Sequence, residues 1–219
     1  ESTFLKTAVK NPVALPNAVM FYCSSHVINE HDEIVGKTDT YFHETWNETR
    51  WDNDFVANGN EELREFQLRG QTLPNMSSAV FATDAFQKAF TPFLKKFKLT
   101  GDWLFVGEIM KHGDVIFCKE VLSRFRKHED TARIRVKSAR SQAEYLHTKF
   151  SLFQSSGRSR REFIQLMKLD VFRFLYESAR WYEVLSAMFE VSLVKTLRFG
   201  AFSLIAIALN PSGIKKFLA

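Results

Sequence analysis

Cysteine is scarce in this sequence: Cys23 and Cys118 are the only two in 219 residues. Two are too few for a disulfide framework and they show no metal-ligand spacing, so a reducing compartment, the cytosol, is expected. Apolar runs long enough to cross a bilayer, roughly 20 residues, are missing as well. The nearest candidate, FGAFSLIAIAL at 199–209, has 11. P-loop, GxGxxG, GxSxG and HExxH patterns are all absent, which leaves NTPase, dinucleotide-binding, serine-hydrolase and zincin readings without support. There is no internal repeat and no low-complexity tract. No basic leader opens the chain, and it begins with Glu rather than Met, so Glu1 reads as a cut.

What is present suits a globular protein with a real core: 45% hydrophobic and 25% charged residues, which excludes a disordered or collagen-like chain. Phenylalanine is over-used, 22 of 219. The net charge of +5 hides an asymmetry: residues 1–130 carry 15 Lys+Arg against 19 Asp+Glu, whereas residues 131–219 carry 15 against 6. A positive field confined to one segment suits an anionic surface, either nucleic acid or lipid headgroups.

Along the chain, Phe4, Leu5 and Ala8 stand at helical spacing until Asn11-Pro12 breaks the pattern. AVMFYCSSHVI, 18–28, reads as a buried strand, Asn29–Glu33 as a turn and Ile34-Val35-Gly36 as an edge strand. Residues 37–58 read as a long ordered loop with isolated aromatics. EELREFQLRG reads as a short helix capped by Asn60 and closed by Gly70. Pro74-Asn75 is a turn, Ser78–Phe81 a strand, Asp84–Phe90 a short helix, and Thr100-Gly101-Asp102 opens a helix to Gly113. DVIFCKE, 114–120, is a strand with an extended exit, and beyond Asp130 the texture is nearly continuous helix, broken at Ser155-Ser156-Gly157. The fold class is therefore α/β followed by a helical extension.

Three constellations could carry chemistry. Asp102, just after a glycine turn, reads as a plain N-cap or as a carboxylate facing a cleft, and the two are not exclusive. Arg124, Arg126 and His128 alternate along an extended segment and share one face. That face is either a solvated basic edge or an Arg and His converging on a diphosphate and its metal. Pro74-Asn75-Met76-Ser77-Ser78 is either a simple polar turn or a cleft loop offering an amide, two hydroxyls and backbone N–H groups to a sugar or phosphate.

In order and spacing, MFYCSSHVIN, WDNDFVANGNEEL, LPNMSSAVF, LTGDWLFVGEIMKHGDVIFCKEVL and SRFRKHEDTAR resemble the carboxyl-terminal half of bacterial family 2 glycosyltransferases with the GT-A fold. The resemblance covers roughly residues 1–135; its most specific pieces are Gly101-Asp102-Trp103-Leu104-Phe105, Gly113-Asp114-Val115 and Leu122-x-x-Phe125-Arg126-x-His128. It implies a partial, Rossmann-like GT-A sheet with flanking helices over 1–130 and a basic amphipathic helical extension over 131–219. Asp102 falls where the family has its catalytic base. His128 falls at a histidine that often holds the divalent cation, Mg²⁺ or Mn²⁺. Arg126 falls at a phosphate partner, and Asn75, Met76, Ser77 and Trp103 at substrate contacts. Relatives often carry Arg right after the strand matching Ala79–Phe81, where this chain has Ala82.

The implied activity is transfer of a sugar, with inversion, from a nucleotide-diphosphate donor to a glycan or lipid-linked hydroxyl, in cell-surface polysaccharide synthesis. The family's nucleotide pocket and Asp-x-Asp-type motif have no match here, so these 219 residues alone are expected to be inactive. The expected location is cytoplasmic, with no nucleic acid as partner; the apolar stripes of the tail either pack on each other or on the core, or dock 158–219 peripherally on the cytoplasmic face of an anionic membrane. The rival reading is a non-catalytic helical module binding anionic membrane or nucleic acid through its basic tail.

Overall fold

A computed structural model describes residues 2–46, 49–127, 138–163, 165–166 and 181–208. Helix α1 (Ser2–Ala14) leads into strand β1 (Ala18–Ile28), followed by β2 (Ile34–Lys37), α2 (Thr38–Trp46), β3 (Phe55–Ala57), α3 (Gly59–Glu62), β4 (Ala79–Phe81), α4 (Thr83–Ala89), α5 (Gly101–Met110) and β5 (Asp114–Arg126). Helices α6 (Ser138–Ser155), α7 (Trp181–Val191) and α8 (Leu193–Ala208) follow.

The sheet is mixed, in the order β2, β1, β5, β3. β1 and β5 run parallel along their whole length; β4 lies antiparallel on the other edge of β1 at Met20–Tyr22, and β2 antiparallel at His26–Ile28. β1 is apolar without alternation because both of its faces are covered. Phe21 and Cys23 face a small core with Ile116, Cys118 and Leu122 under Ala8 of α1, while Met20 and Tyr22 join the main core with Phe117, Val106 and Ile109.

That main core runs without a break from Val19 through α5 into Leu146, Phe150 and Phe153 of α6 and Met188 of α7. Gly107, in mid-helix, permits the close approach of α5 and α6: a Cβ there would lie 2.2 Å from Leu152 Cδ2. Gly59 does the same for α3, since a Cβ would fall 2.0 Å from the Met110 carbonyl oxygen.

The β1 strand, its edge neighbour, the β4 strand and α5 follow the sequence pattern, and four local expectations are corrected. α1 continues through Asn11-Pro12 to Ala14; Pro12 sits in its last turn, where the missing N–H costs one bond and the helix ends soon after. Residues 37–58 are not an irregular loop, because they fold into α2, a 3₁₀ turn at Arg50–Asp52 and β3. Their aromatics tie them down: Phe42 and Trp51 stack at 4.3 Å and the Trp51 indole donates to the Tyr22 hydroxyl at 2.9 Å. The cap of α3 is Asn58, whose side chain accepts from the N–H groups of Asn60 and Glu61, rather than Asn60. α3 then widens into a π turn over Leu63–Gln67. β5 runs past DVIFCKE to Arg126, and of its three register shifts against β1 two follow Cys118, where Cys23 pairs with Cys118, Ser24 with Val121 and Ser25 with Ser123. The bulged N–H of Lys119 is taken by Asp54 Oδ1 at 2.8 Å.

Candidate functional site

α5 delivers the chain to the start of β5, so its first turn points back towards the carboxyl half of β1 and β5, the edge at which ligands gather in open α/β sheets. Asp102 lies in that turn, exposed, with Oδ1 accepting from the Trp103 N–H at 2.7 Å. Thr100, not Asp102, is the N-cap residue. A carboxylate in the first turn is stabilised by the helix dipole and remains open to solvent.

The approach to this turn is clamped from two sides. On one, Glu144 of α6 is buried, and its carboxylate accepts from the backbone N–H groups of Lys98, Leu99 and Thr100 at 2.7–3.3 Å. Burial pushes the Glu144 carboxyl up, but the Arg140 guanidinium at 2.8 Å and those N–H groups outweigh it and hold it below its ordinary value. On the other, Gln67 donates to the Trp103 carbonyl at 2.9 Å and the Trp103 indole donates to the Gln67 carbonyl at 2.7 Å. Glu144 and Gln67 are absent from the candidates drawn from sequence; the one available signal was an acid within the otherwise basic 131–219 segment.

Gln67 Oε1 also accepts from the N–H and hydroxyl of Thr72, which starts the loop carrying Asn75. Asn75 is buried: its Oδ1 accepts from Ser77 N–H at 3.0 Å and its Nδ2 donates to Ser25 Oγ at 3.3 Å. Ser25 Oγ in turn lies 2.5 Å from Ser123 Oγ, a pairing that exists because the β5 bulge re-aims Ser123. Thr38 at the start of α2 completes the group, its hydroxyl oxygen accepting from the Ser25 N–H at 3.0 Å. The outcome is a buried knot of hydroxyls and one amide under the carboxyl half of β1, with Ser77 exposed above it and Met76 half-buried.

The remaining predicted residues fall differently. Trp103 is only 5% exposed, and its ring belongs to the core. Arg126 is engaged with the 29–33 turn: Nη1 donates to the carbonyls of Asn29 at 2.8 Å and Glu30 at 3.3 Å, and Nη2 pairs with the carboxylate of Asp32. Asp32 adopts a positive φ of 64° there, which the short polar side chain tolerates. Arg124 is exposed, opposite His26 in the sheet register. His128 lies outside the described residues. Among the described residues no group of three or more His, Cys, Asp or Glu gathers that could hold a metal ion.

A cavity of about 410 Å³ opens at the opposite, amino end of the parallel pair, lined by Asn17, Asn58, Asp84, Lys88, His112 and Asp114. It is polar and shallow, and none of the predicted residues reaches it. The chain matches no family model, no curated protein and no solved structure.

Proposed function

We propose that this chain belongs to a family 2-type glycosyltransferase and carries the acceptor side of a GT-A site. The observation that supports the reading most is the exposed carboxylate of Asp102, clamped through Glu144 and Gln67 at the carboxyl side of a parallel strand pair. The parallel β1 and β5 with an antiparallel β4 beside them are compatible with part of such a sheet.

In this reading Asp102 takes the proton of an acceptor hydroxyl as that oxygen bonds to the anomeric carbon of the donor sugar. The bond from the anomeric carbon to the diphosphate breaks on the opposite face, its electron pair leaves with the nucleotide diphosphate, and configuration inverts. Ser77 and the backbone of the 75–77 turn offer hydrogen bonds to the sugars. Arg126 would exchange Asp32 for a donor phosphate. The reading also asks for Mg²⁺ or Mn²⁺ on the donor, with His128 as its ligand.

Asp102→Asn, in the protein that carries these residues, tests it by release of nucleoside diphosphate and transfer of labelled sugar. A loss of roughly 10²–10⁴-fold is expected, with an unchanged thermal midpoint. Activity retained within about twofold removes Asp102 from the base role.

A further inference from the structure

Arg140, Glu144 and Thr148 recur at intervals of four along α6, so they line one side of that helix, a turn apart. Each of the three bonds the segment that leads into α5. Arg140 Nη2 donates to the Lys96 carbonyl, Glu144 Oε2 accepts from the N–H groups of Lys98, Leu99 and Thr100 at 2.9, 2.7 and 3.3 Å, and the Thr148 and Thr100 hydroxyls lie 2.8 Å apart. Tyr145, next to Glu144, sets its ring against Trp103 with centroids 5.4 Å apart. The strip thus follows the chain from Lys96 to Trp103, with Asp102 inside the span it holds.

The start of a helix leaves N–H groups without intrahelical acceptors, and the side chain of an N-cap threonine ordinarily takes one of them. Thr100 stands at that position in α5, yet its side chain makes no cap bond and engages Thr148 instead. The amino end of α5 is therefore fastened from outside, by α6. A buried carboxylate is costly unless it is hydrogen-bonded and paired. Glu144 is fully buried and meets both demands, through those N–H groups and through Arg140 at 2.8 Å. Three successive N–H groups converging on one oxygen leave the 98–100 backbone little freedom, two residues before Asp102.

We propose that Glu144 is a positioning residue: through the 98–100 backbone it fixes where the Asp102 carboxylate stands against the acceptor hydroxyl, with Arg140 and Thr148 holding the same segment on either side. The inference rests on the reading of Asp102 as the base, and adds to it that the helical extension completes the site. A general base works only within hydrogen-bond reach of the proton it takes, and a displacement of about 1 Å can cost about a hundredfold in rate. Glu144 is itself buried, so it acts through Asp102 rather than on a sugar.

The test is a series of variants in the protein that carries these residues, followed by steady-state sugar transfer. Glu144→Ala is expected to lower kcat about 10- to 100-fold while the acceptor KM stays within about twofold, the pattern of an interaction felt in the transition state. Glu144→Gln, which can keep an oxygen facing the three N–H groups, should recover most of that loss. Thr148→Val, which removes the hydroxyl bond to Thr100, should lower kcat about three- to tenfold. The N–H groups of 98–100 should exchange with solvent faster in Glu144→Ala than in the parent. Phe150→Leu, a core change on the same helix that makes none of these bonds, separates positioning from stability: it should lower the thermal midpoint and leave kcat within about twofold. A folded Glu144→Ala protein with the parental kcat, where Asp102→Asn has abolished transfer, overturns this inference alone, as does an equal loss in Phe150→Leu. If Glu144→Ala does not fold, Thr148→Val decides, and a parental kcat there overturns the inference. Transfer retained by Asp102→Asn removes the base reading and this inference with it.

Discussion

Gln67 and Trp103 hold each other in both directions, the amide of one donating to the carbonyl of the other at 2.9 Å and the indole returning a bond at 2.7 Å. This reciprocal pair joins the π turn after α3 to the first turn of α5, one residue from Asp102. Gln67→Leu keeps the volume but strands the Trp103 carbonyl and both donors of Thr72. The expected cost is roughly 2–4 kcal/mol of unfolding free energy, against about 1–3 for Trp103→Phe with respect to the lost hydrogen bond alone. Urea unfolding of both variants measures this; a Gln67→Leu protein as stable as the parent would show that the knot is dispensable.

Glu62 is buried beside Arg50, Oε2 to Nη2 2.8 Å, with no aligned hydrogen bond to either carboxylate oxygen, and the Arg50 guanidinium lies over the rings of Phe55 and Phe66. Burial pushes its carboxyl up to about 7 against the pull of Arg50. The folded value exceeds the unfolded one, so the folded state holds the proton more tightly. The resulting stability is full below about pH 4.5 and is lost as pH rises through 7. Glu62→Gln should cancel that slope, changing the pH 5 to pH 8 difference by up to roughly 3 kcal/mol in denaturant titrations. Parallel pH profiles for variant and parent would refute the assignment.

His147 has the opposite sign. It is fully buried on α6, its Nε2 2.9 Å from the Met188 carbonyl and 3.2 Å from Thr196 Oγ1, and burial is the main cause holding it below the usual histidine value, with Lys195 and Arg140 adding to that effect and Glu144 opposing it. A depressed histidine contributes stability above its unfolded value, near pH 6.5, and loses it as pH falls through the folded value. Acid should therefore loosen the junction of α6, α7 and α8. His147→Gln should remove the acid-side loss, read as urea midpoints at pH 5 and 7.5. Because Glu62 and His147 titrate in opposing senses, removing either should leave the slope of the other unopposed.

Cys23 and Cys118 face each other across β1 and β5, both buried and both free. Burial is the first cause raising each thiol, Cys23 to about 11. The reactive species is the thiolate, so native protein at pH 8 should react with a thiol reagent at least about a hundredfold more slowly than the urea-unfolded chain, in which two thiols titrate. Fast native labelling of either would contradict the packing of β1 on β5.

Gly59 and Gly36 make a contrasting pair. Gly59→Ala drives a methyl onto the carbonyl oxygens of Met110 and Gly113 and should cost about 2–4 kcal/mol. Gly36→Ala meets nothing within 4 Å and should be neutral within about 0.5 kcal/mol. Thermal midpoints of the two variants measure the difference.

Much of the fold was legible in local pattern. The unalternating run 18–28 demanded a doubly covered strand, and Gly101 with apolar residues at helical spacing announced α5. Helix α2 was hidden because Tyr41, Phe42 and Trp46 sit among polar residues; Phe42 finds its partner only when Trp51, nine positions on, folds back over Tyr22. Asp102 and Asn75 could be picked out as residues with useful chemistry. Their surroundings could not, because the bonds that set them join Gln67 to Trp103 and Lys98 to Glu144, 36 and 46 positions apart.

Composition and periodicity were enough to establish an α/β body with a basic helical continuation, because apolar spacing and charge are properties of neighbouring residues. Which face of β1 each side chain meets, and the bulge that brings Ser123 onto Ser25, depended on how β5 registers against it. Likewise, Glu144 became a clamp on the approach to Asp102, rather than one more surface acid, only when α6 packed against α5. The exposure of Leu193, Val194 and Leu197 is of the same kind: a helical sequence has apolar residues on several sides, and packing against α6 selects which of them are left facing out.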